Sequence, residues 1–144
     1  MQVEPRVLVV DDNPADQHLT AMYLGEALPS TAGTQVDYAG TGREALTKLR
    51  EAAYSLLILD WFQPGGNNAE VLTHVRSGGA PLPVVVISGA ERQLLTADLD
   101  GLRAEFLSKQ QMSGRTLHRA VQSAHERLGL MGLPATMSRF TAVS

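Results

Sequence analysis

The chain has 144 residues, no cysteine, 12 basic and 15 acidic side chains, and a formal net charge of −3. That length suits one domain able to bury a core without staples, and the lack of Cys excludes a disulfide framework, thiolate metal sites and a cysteine nucleophile. No apolar run reaches the roughly 18 residues of a membrane span, the acidic start MQVEPRVLVVDD does not fit a signal peptide, and the weak charge argues against a dedicated nucleic-acid binder, so the expectation is a cytoplasmic protein with no direct nucleic-acid or membrane partner.

Arg6–Val10 (RVLVV) is a continuous apolar, β-branched run, as expected of a strand buried on both faces. Asn13 is placed to cap, and Pro14 to open, a helix over Ala15–Ala27 with Leu19, Met22, Tyr23 and Leu24 on one side. A Ser/Thr/Gly-rich loop over 29–34 leads to Gln35–Ala39, an alternating strand nearer an edge. Thr41 or Gly42 opens a helix through Ala45, Leu46 and Leu49. Ser55–Leu59 and Leu82–Ile87 read as two more buried strands, separated by a helix over Asn68–Ser77 with Val71, Leu72 and Val75 at helical spacing. A helix around Glu91–Leu99 and a short strand Glu105–Leu107 follow. Ser113 caps the fifth predicted helix, where Leu117, Ala120, Val121, Ala124 and Leu128 form one stripe.

The order βαβαβαβαβα predicts an α/β fold, a parallel sheet with helices on both faces. After Leu128 the segment GLMGLPATMSRFTAVS has no period. Residues 1–128 are therefore read as the domain, and 129–144 as a C-terminal tail, a linker or an interface extension.

Open α/β sheets bind ligands at the carboxyl ends of their strands. Asp11 and Asp12 follow the first strand and Asp60 the third, Ser88 ends the fourth, and Lys109 follows the fifth. Singly, each has an ordinary explanation: helix cap, turn residue, solvated lysine. Together at one edge they make a site. Three carboxylates within about 4–6 Å raise one another's pKa values, so they call for a counter-cation, and Mg²⁺ suits oxygen ligands beside a phosphate. A carboxylate can attack phosphorus to give an aspartyl phosphate, a lysine can neutralise the phosphoryl oxygens, and the Ser88 hydroxyl can hydrogen-bond them. The charge is also uneven: residues 1–60 hold nine acidic and four basic side chains, whereas 110–144 hold one and four.

VLVVDDNPADQHL, LLILDWFQPGG, VVVISGA and FLSK, in this order, resemble the receiver domain of two-component response regulators over about residues 5–128. The resemblance implies a flavodoxin-like five-stranded parallel sheet of order 2-1-3-4-5 with five helices. It implies Asp60 as phosphoacceptor. Mg²⁺ would be held by Asp12, Asp60 and the backbone carbonyl of Phe62, with Asp11 binding through water. Ser88 and Lys109 would contact the phosphoryl group, and Ser88 with Phe106 would form the switch. The donor would be a phosphohistidine on a histidine kinase or phosphotransfer protein. Output would pass to a downstream effector module or a homodimer through the fourth helix, fifth strand and fifth helix, and the only reactions catalysed would be the domain's own phosphorylation and dephosphorylation. Gln110 stands where the family usually has Pro, which predicts a differently shaped loop, and Asn68 stands where Gly is usual, which Asn's tolerance of positive φ would accommodate. By the same resemblance Phe62 and Ala90 would border the hydrolytic water and could not orient it, which predicts slow autodephosphorylation.

Other readings compete. A silent receiver-like interaction module is one. An aspartate-nucleophile phosphatase is another, but that class wants Asp-x-Asp after its first strand, not adjacent Asp11 and Asp12. Gly40-Thr41-Gly42-Arg43-Glu44-Ala45 matches a dinucleotide fingerprint, although it follows a polar strand that is not the first; a turn glycine with a helix cap explains it better. His18, His74, His118 and His125 show no metal spacing. Trp61 leaves its strand toward the loop as an interface anchor or as local packing. Met112, Met131 and Met137 suggest an apolar patch, and Arg115, Arg119, Arg127 and Arg139 a solvated or partner-binding face.

Overall fold

The computed structural model describes residues 6–27, 35–63, 66–78, 81–89 and 101–129. Five strands form one parallel sheet: β1 (Arg6–Val10), β2 (Gln35–Ala39), β3 (Leu56–Asp60), β4 (Val84–Ser88) and β5 (Glu105–Ser108). Their order is β2-β1-β3-β4-β5, as the resemblance implies. Four helices are described: α1 (Pro14–Ala27), α2 (Gly42–Glu51), α3 (Ala69–Ser77) and α4 (Gly114–Arg127). The helix expected around Glu91–Leu99 lies outside the described residues, as do Ala90 and 130–144 with Met131, Met137 and Arg139.

The central strands are apolar on both faces because each face is covered. Val7, Val9, Ile58, Val85 and Ile87 pack with Leu24 and Ala27 of α1 and with Leu117, Ala120, Val121 and Ala124 of α4. Leu8, Val10, Leu57, Leu59, Val84 and Val86 pack on the other face with Ala45 of α2 and Val71, Leu72 and Val75 of α3. Among the described residues, edge strand β2 pairs only with β1, and its sequence alternates accordingly.

Several boundaries move by one or two residues. Ser55 does not enter β3; its hydroxyl and N–H bind the backbone of Arg6 at 2.9 and 2.8 Å. The strand thus runs one residue further, and Asp60 is its last rung, opposite Ile87. β4 starts at Val84 and not at Leu82 because Pro83 has no N–H for the ladder, although its carbonyl still accepts from the Leu57 N–H at 3.0 Å. The buried face of α1 also differs from expectation. It is Thr20, Leu24 and Ala27, spaced i, i+4, i+7, while Leu19 and Met22 are 45% and 47% exposed.

Caps follow the sequence. Asn13 Oδ1 accepts from the Ala15 N–H at 2.9 Å. Ser113 and Thr116 form a reciprocal capping box at the start of α4. Thr41 Oγ1 accepts from the Glu44 N–H at 3.1 Å, so the G-x-G-x-x-A segment caps α2 with its own side chain at the sheet edge. His125, buried on α4, uses Nδ1 on the Val121 carbonyl at 2.9 Å. At the sheet's opposite edge Arg76 donates to the carbonyls of Leu102, Leu82 and Arg103 at 2.6, 2.8 and 3.1 Å, tying α3 to the segments that lead into β4 and β5.

Candidate functional site

The register gathers the site. β1 lies between β2 and β3, so Asp11 and Asp12, just beyond Val10, stand beside Asp60, which is 49 and 48 positions further along the chain. The carboxylate oxygens of Asp11, Asp12 and Asp60 lie within 4.8 Å of one another. Asp11 and Asp60 are buried, and Asp12 is exposed. Ser88, 1% exposed, ends β4 one residue past the partner of Asp60. Lys109 follows β5 directly.

Lys109 Nζ donates to Asp11 Oδ2 at 3.1 Å, Asp16 Oδ2 at 2.9 Å and Asp60 Oδ2 at 3.3 Å. Asp16 is the member the sequence reading missed. It sits in the first turn of α1, where an acid is ordinarily taken as a partner of the helix dipole. Because α1 starts only two residues after Asp12, that turn faces back onto the strand ends.

One lysine against four carboxylates leaves the site short of positive charge. Burial pushes the Asp60 carboxyl up to about 6, helped by the charge of Asp11 and opposed by Lys109. Burial lowers the Lys109 ammonium, but Asp16, Asp60 and Asp11 outweigh it and hold the group above the usual lysine range. Three clustered hard oxygen donors with this imbalance fit a small divalent cation such as Mg²⁺.

The loop after Asp60 is a small antiparallel hairpin in which Phe62 pairs Asn67 and Gln63 pairs Gly66. Buried Asn68 organises it: its Nδ2 donates to the Asp60 carbonyl at 2.5 Å, and its backbone N–H donates to the Trp61 carbonyl at 2.8 Å. Asn68 does this at φ −96°, so the expected need for positive φ there is not realised. Removing the side chain strands a buried carbonyl, and Asn68→Ala should cost about 1–3 kcal/mol in denaturant unfolding.

Trp61 is 2% exposed and packs in the core with Leu8, Val10 and Leu72; local packing, and not an interface anchor, is its role. Phe62 is 43% exposed. Phe106 is half-buried against the same side of the core. The residues after Lys109 form a 3-10 turn over Lys109–Gln111. Gln110 Oε1 accepts from Ser108 Oγ at 2.6 Å, and its Nε2 donates to the Gly89 carbonyl at 3.4 Å. The amide in place of proline therefore bridges the loops that follow β4 and β5.

The family model for the response regulator receiver domain matches residues 7–122. The chain is 31% identical over 108 residues, 72% of its length, to a protein-glutamate methylesterase/protein-glutamine glutaminase of Treponema denticola, covering 28% of that protein. It is 36% identical over 104 residues, again 72% of its length, to the transcriptional activator protein ExaE of Pseudomonas putida, covering 47% of it. The chain thus spans less than half of these relatives. The response regulator protein TrrA of Thermotoga maritima, solved in complex with Mg²⁺–BeF, superposes with a TM-score of 0.68 at 26% identity, covering 83% of this chain and 98% of that one.

Proposed function

The chain belongs to the response regulator receiver domain family, and from that premise we propose that it is a signalling switch phosphorylated on Asp60. The observation that carries this reading is the convergence of Asp11, Asp12, Asp60 and Lys109 at one sheet edge. An Asp60 carboxylate oxygen attacks phosphorus. An acyl phosphate P–O bond forms, and the bond to the donor breaks, with the electron pair leaving on the imidazole nitrogen of a kinase or phosphotransfer-protein phosphohistidine. Lys109 donates to the phosphoryl oxygens. Ser88 turns its hydroxyl to the same group, and Phe106 takes up the space this opens, a local charge event biasing a two-state element. Asp12, Asp60 and the Phe62 carbonyl would hold Mg²⁺, with Asp11 binding through water. The ion supplies counter-charge and polarises the phosphoryl oxygens.

On this reading the domain spans residues 1–128, with 129–144 a tail, linker or interface extension, and the only reactions it catalyses are its own phosphorylation and dephosphorylation. Its place is the cytoplasm; among the described residues no helix is long and apolar enough to cross a membrane. Output passes to an effector module or a second copy through the face that includes β5 and α4.

Incubation with acetyl phosphate and Mg²⁺ followed by intact mass tests the reading. One stable phosphoryl group supports the switch. No label supports a silent interaction module, and turnover without accumulation supports a phosphatase. The exposed, apolar Phe62 offers no hydrogen bond to a hydrolytic water, and Ala90 lacks a polar group as well. Dephosphorylation should therefore be slow, and a phosphoryl half-life of seconds would contradict this.

A further inference from the structure

We infer that Asp16 is a positioning residue that restrains Lys109: it holds the ammonium on the α1 side of the resting site and so slows phosphoryl uptake at Asp60. The inference rests on the phosphorylation reading and adds a regulator to it.

Lys109 has three N–H donors, and Asp11, Asp16 and Asp60 engage it together. The contact with Asp16, 2.9 Å, is the shortest, and the contact with Asp60, 3.3 Å, the longest. Among the described residues, Lys109 is the only hydrogen-bond partner of the Asp16 carboxylate. Asp11 and Asp60 are nearly closed to solvent, with side chains 0% and 8% exposed, whereas that of Asp16 is 34% exposed. Water can therefore take over the Asp16 carboxylate when the lysine leaves. Asp11 and Asp60 lack that option, so Asp16 is the partner that Lys109 can give up at least cost.

An incoming phosphoryl group brings two negative charges and new acceptor oxygens. Lys109 must turn toward them, and the extra carboxylate at the rim opposes their entry. Asp16→Asn keeps the shape and a weak acceptor but removes the charge. A unit charge a few ångströms away in a half-exposed site is worth roughly three- to tenfold in affinity for an anion.

The test is the Mg²⁺-dependent rate of acetyl phosphate labelling against acetyl phosphate concentration, for the unaltered chain, Asp16→Asn and Asp16→Glu. Asp16→Asn should raise the apparent second-order rate constant about three- to tenfold, mainly through a lower half-saturating concentration. The gain should shrink in 0.5 M salt, where the Debye length is only a few ångströms (about 3 Å at 1 M). Asp16→Glu should stay close to the unaltered chain. A purely structural role for Asp16 would change thermal stability and leave the half-saturating concentration where it was. An unchanged or slower Asp16→Asn, in a chain that otherwise labels on Asp60, overturns this proposal alone. An unaltered chain that gains no phosphoryl group overturns the phosphorylation reading, and this proposal with it.

Discussion

Asp60→Asn should gain no phosphoryl group under conditions that label the unaltered chain, and in the absence of Mg²⁺ it should be the more stable protein of the two. The first result follows, on the proposed reading, from replacing the attacking carboxylate by an amide. The second follows from the charge imbalance. The Asp60 carboxyl, pushed up to about 6 mainly by burial and then by Asp11, binds its proton more tightly folded than unfolded. Between the ordinary aspartate value near 4 and about 6, the native state holds the extra proton, so stability falls as pH rises through that window. At pH 7 the ionised group costs about 1–3 kcal/mol, a cost absent in the variant. Denaturant melts without Mg²⁺ at pH 5 and pH 7 check this: the gap between the two proteins should widen at the higher pH. A variant that is less stable at pH 7, or a gap that narrows, contradicts the account. Added Mg²⁺ should close the gap by stabilising the unaltered chain through linkage.

Lys109→Ala should lower acetyl phosphate labelling by about 100-fold or more, the usual cost of losing one preorganised donor to a developing anion. Its effect on the resting protein has the opposite sign to that of Asp60→Asn. The lysine bridges Asp11, Asp16 and Asp60, and without it two nearly buried carboxylates repel each other. Removing one partner of a buried pair leaves a costly charge behind; with Lys109 itself one-quarter exposed, about 1–3 kcal/mol is expected. Because lysine and divalent cation are alternative counter-charges, Mg²⁺ should stabilise Lys109→Ala more than it stabilises the unaltered chain. Melting curves with and without Mg²⁺ measure both, and an equal or smaller metal response in the variant would refute the shared-counter-charge view.

The strands were legible because a parallel strand covered on both faces leaves an unbroken apolar run, and RVLVV, LLIL and VVVI are such runs. Their carboxyl ends were legible with them, which is why Asp11, Asp12, Asp60, Ser88 and Lys109 could be named from sequence. Asp16 was not, because its role depends on how closely α1 follows β1. The apolar face of α1 was misread because Leu19 and Met22 are apolar yet face outward, while Thr20 is polar yet buried. The hairpin after Asp60 leaves no periodic signal, since two rungs are too few for one. It is held by Asn68, whose side chain bonds the Asp60 carbonyl eight residues back and whose N–H bonds the Trp61 carbonyl, contacts that no residue pattern announces.

That bond has a mechanical meaning. The Asp60 carbonyl is held by the Asn68 side chain, the Trp61 N–H by the Ile87 carbonyl, and the Trp61 carbonyl by the Asn68 N–H. The Asp60–Trp61 peptide is thus pinned on both edges to separate parts of the frame. On the proposed reading Asp60 is mounted like an anvil: the blow lands on its carboxylate, and the response falls to the side chains around it. Those are Lys109 with its part-exposed partner Asp16, and Gln110, whose amide ties the end of β5 to the Gly89 carbonyl just past β4.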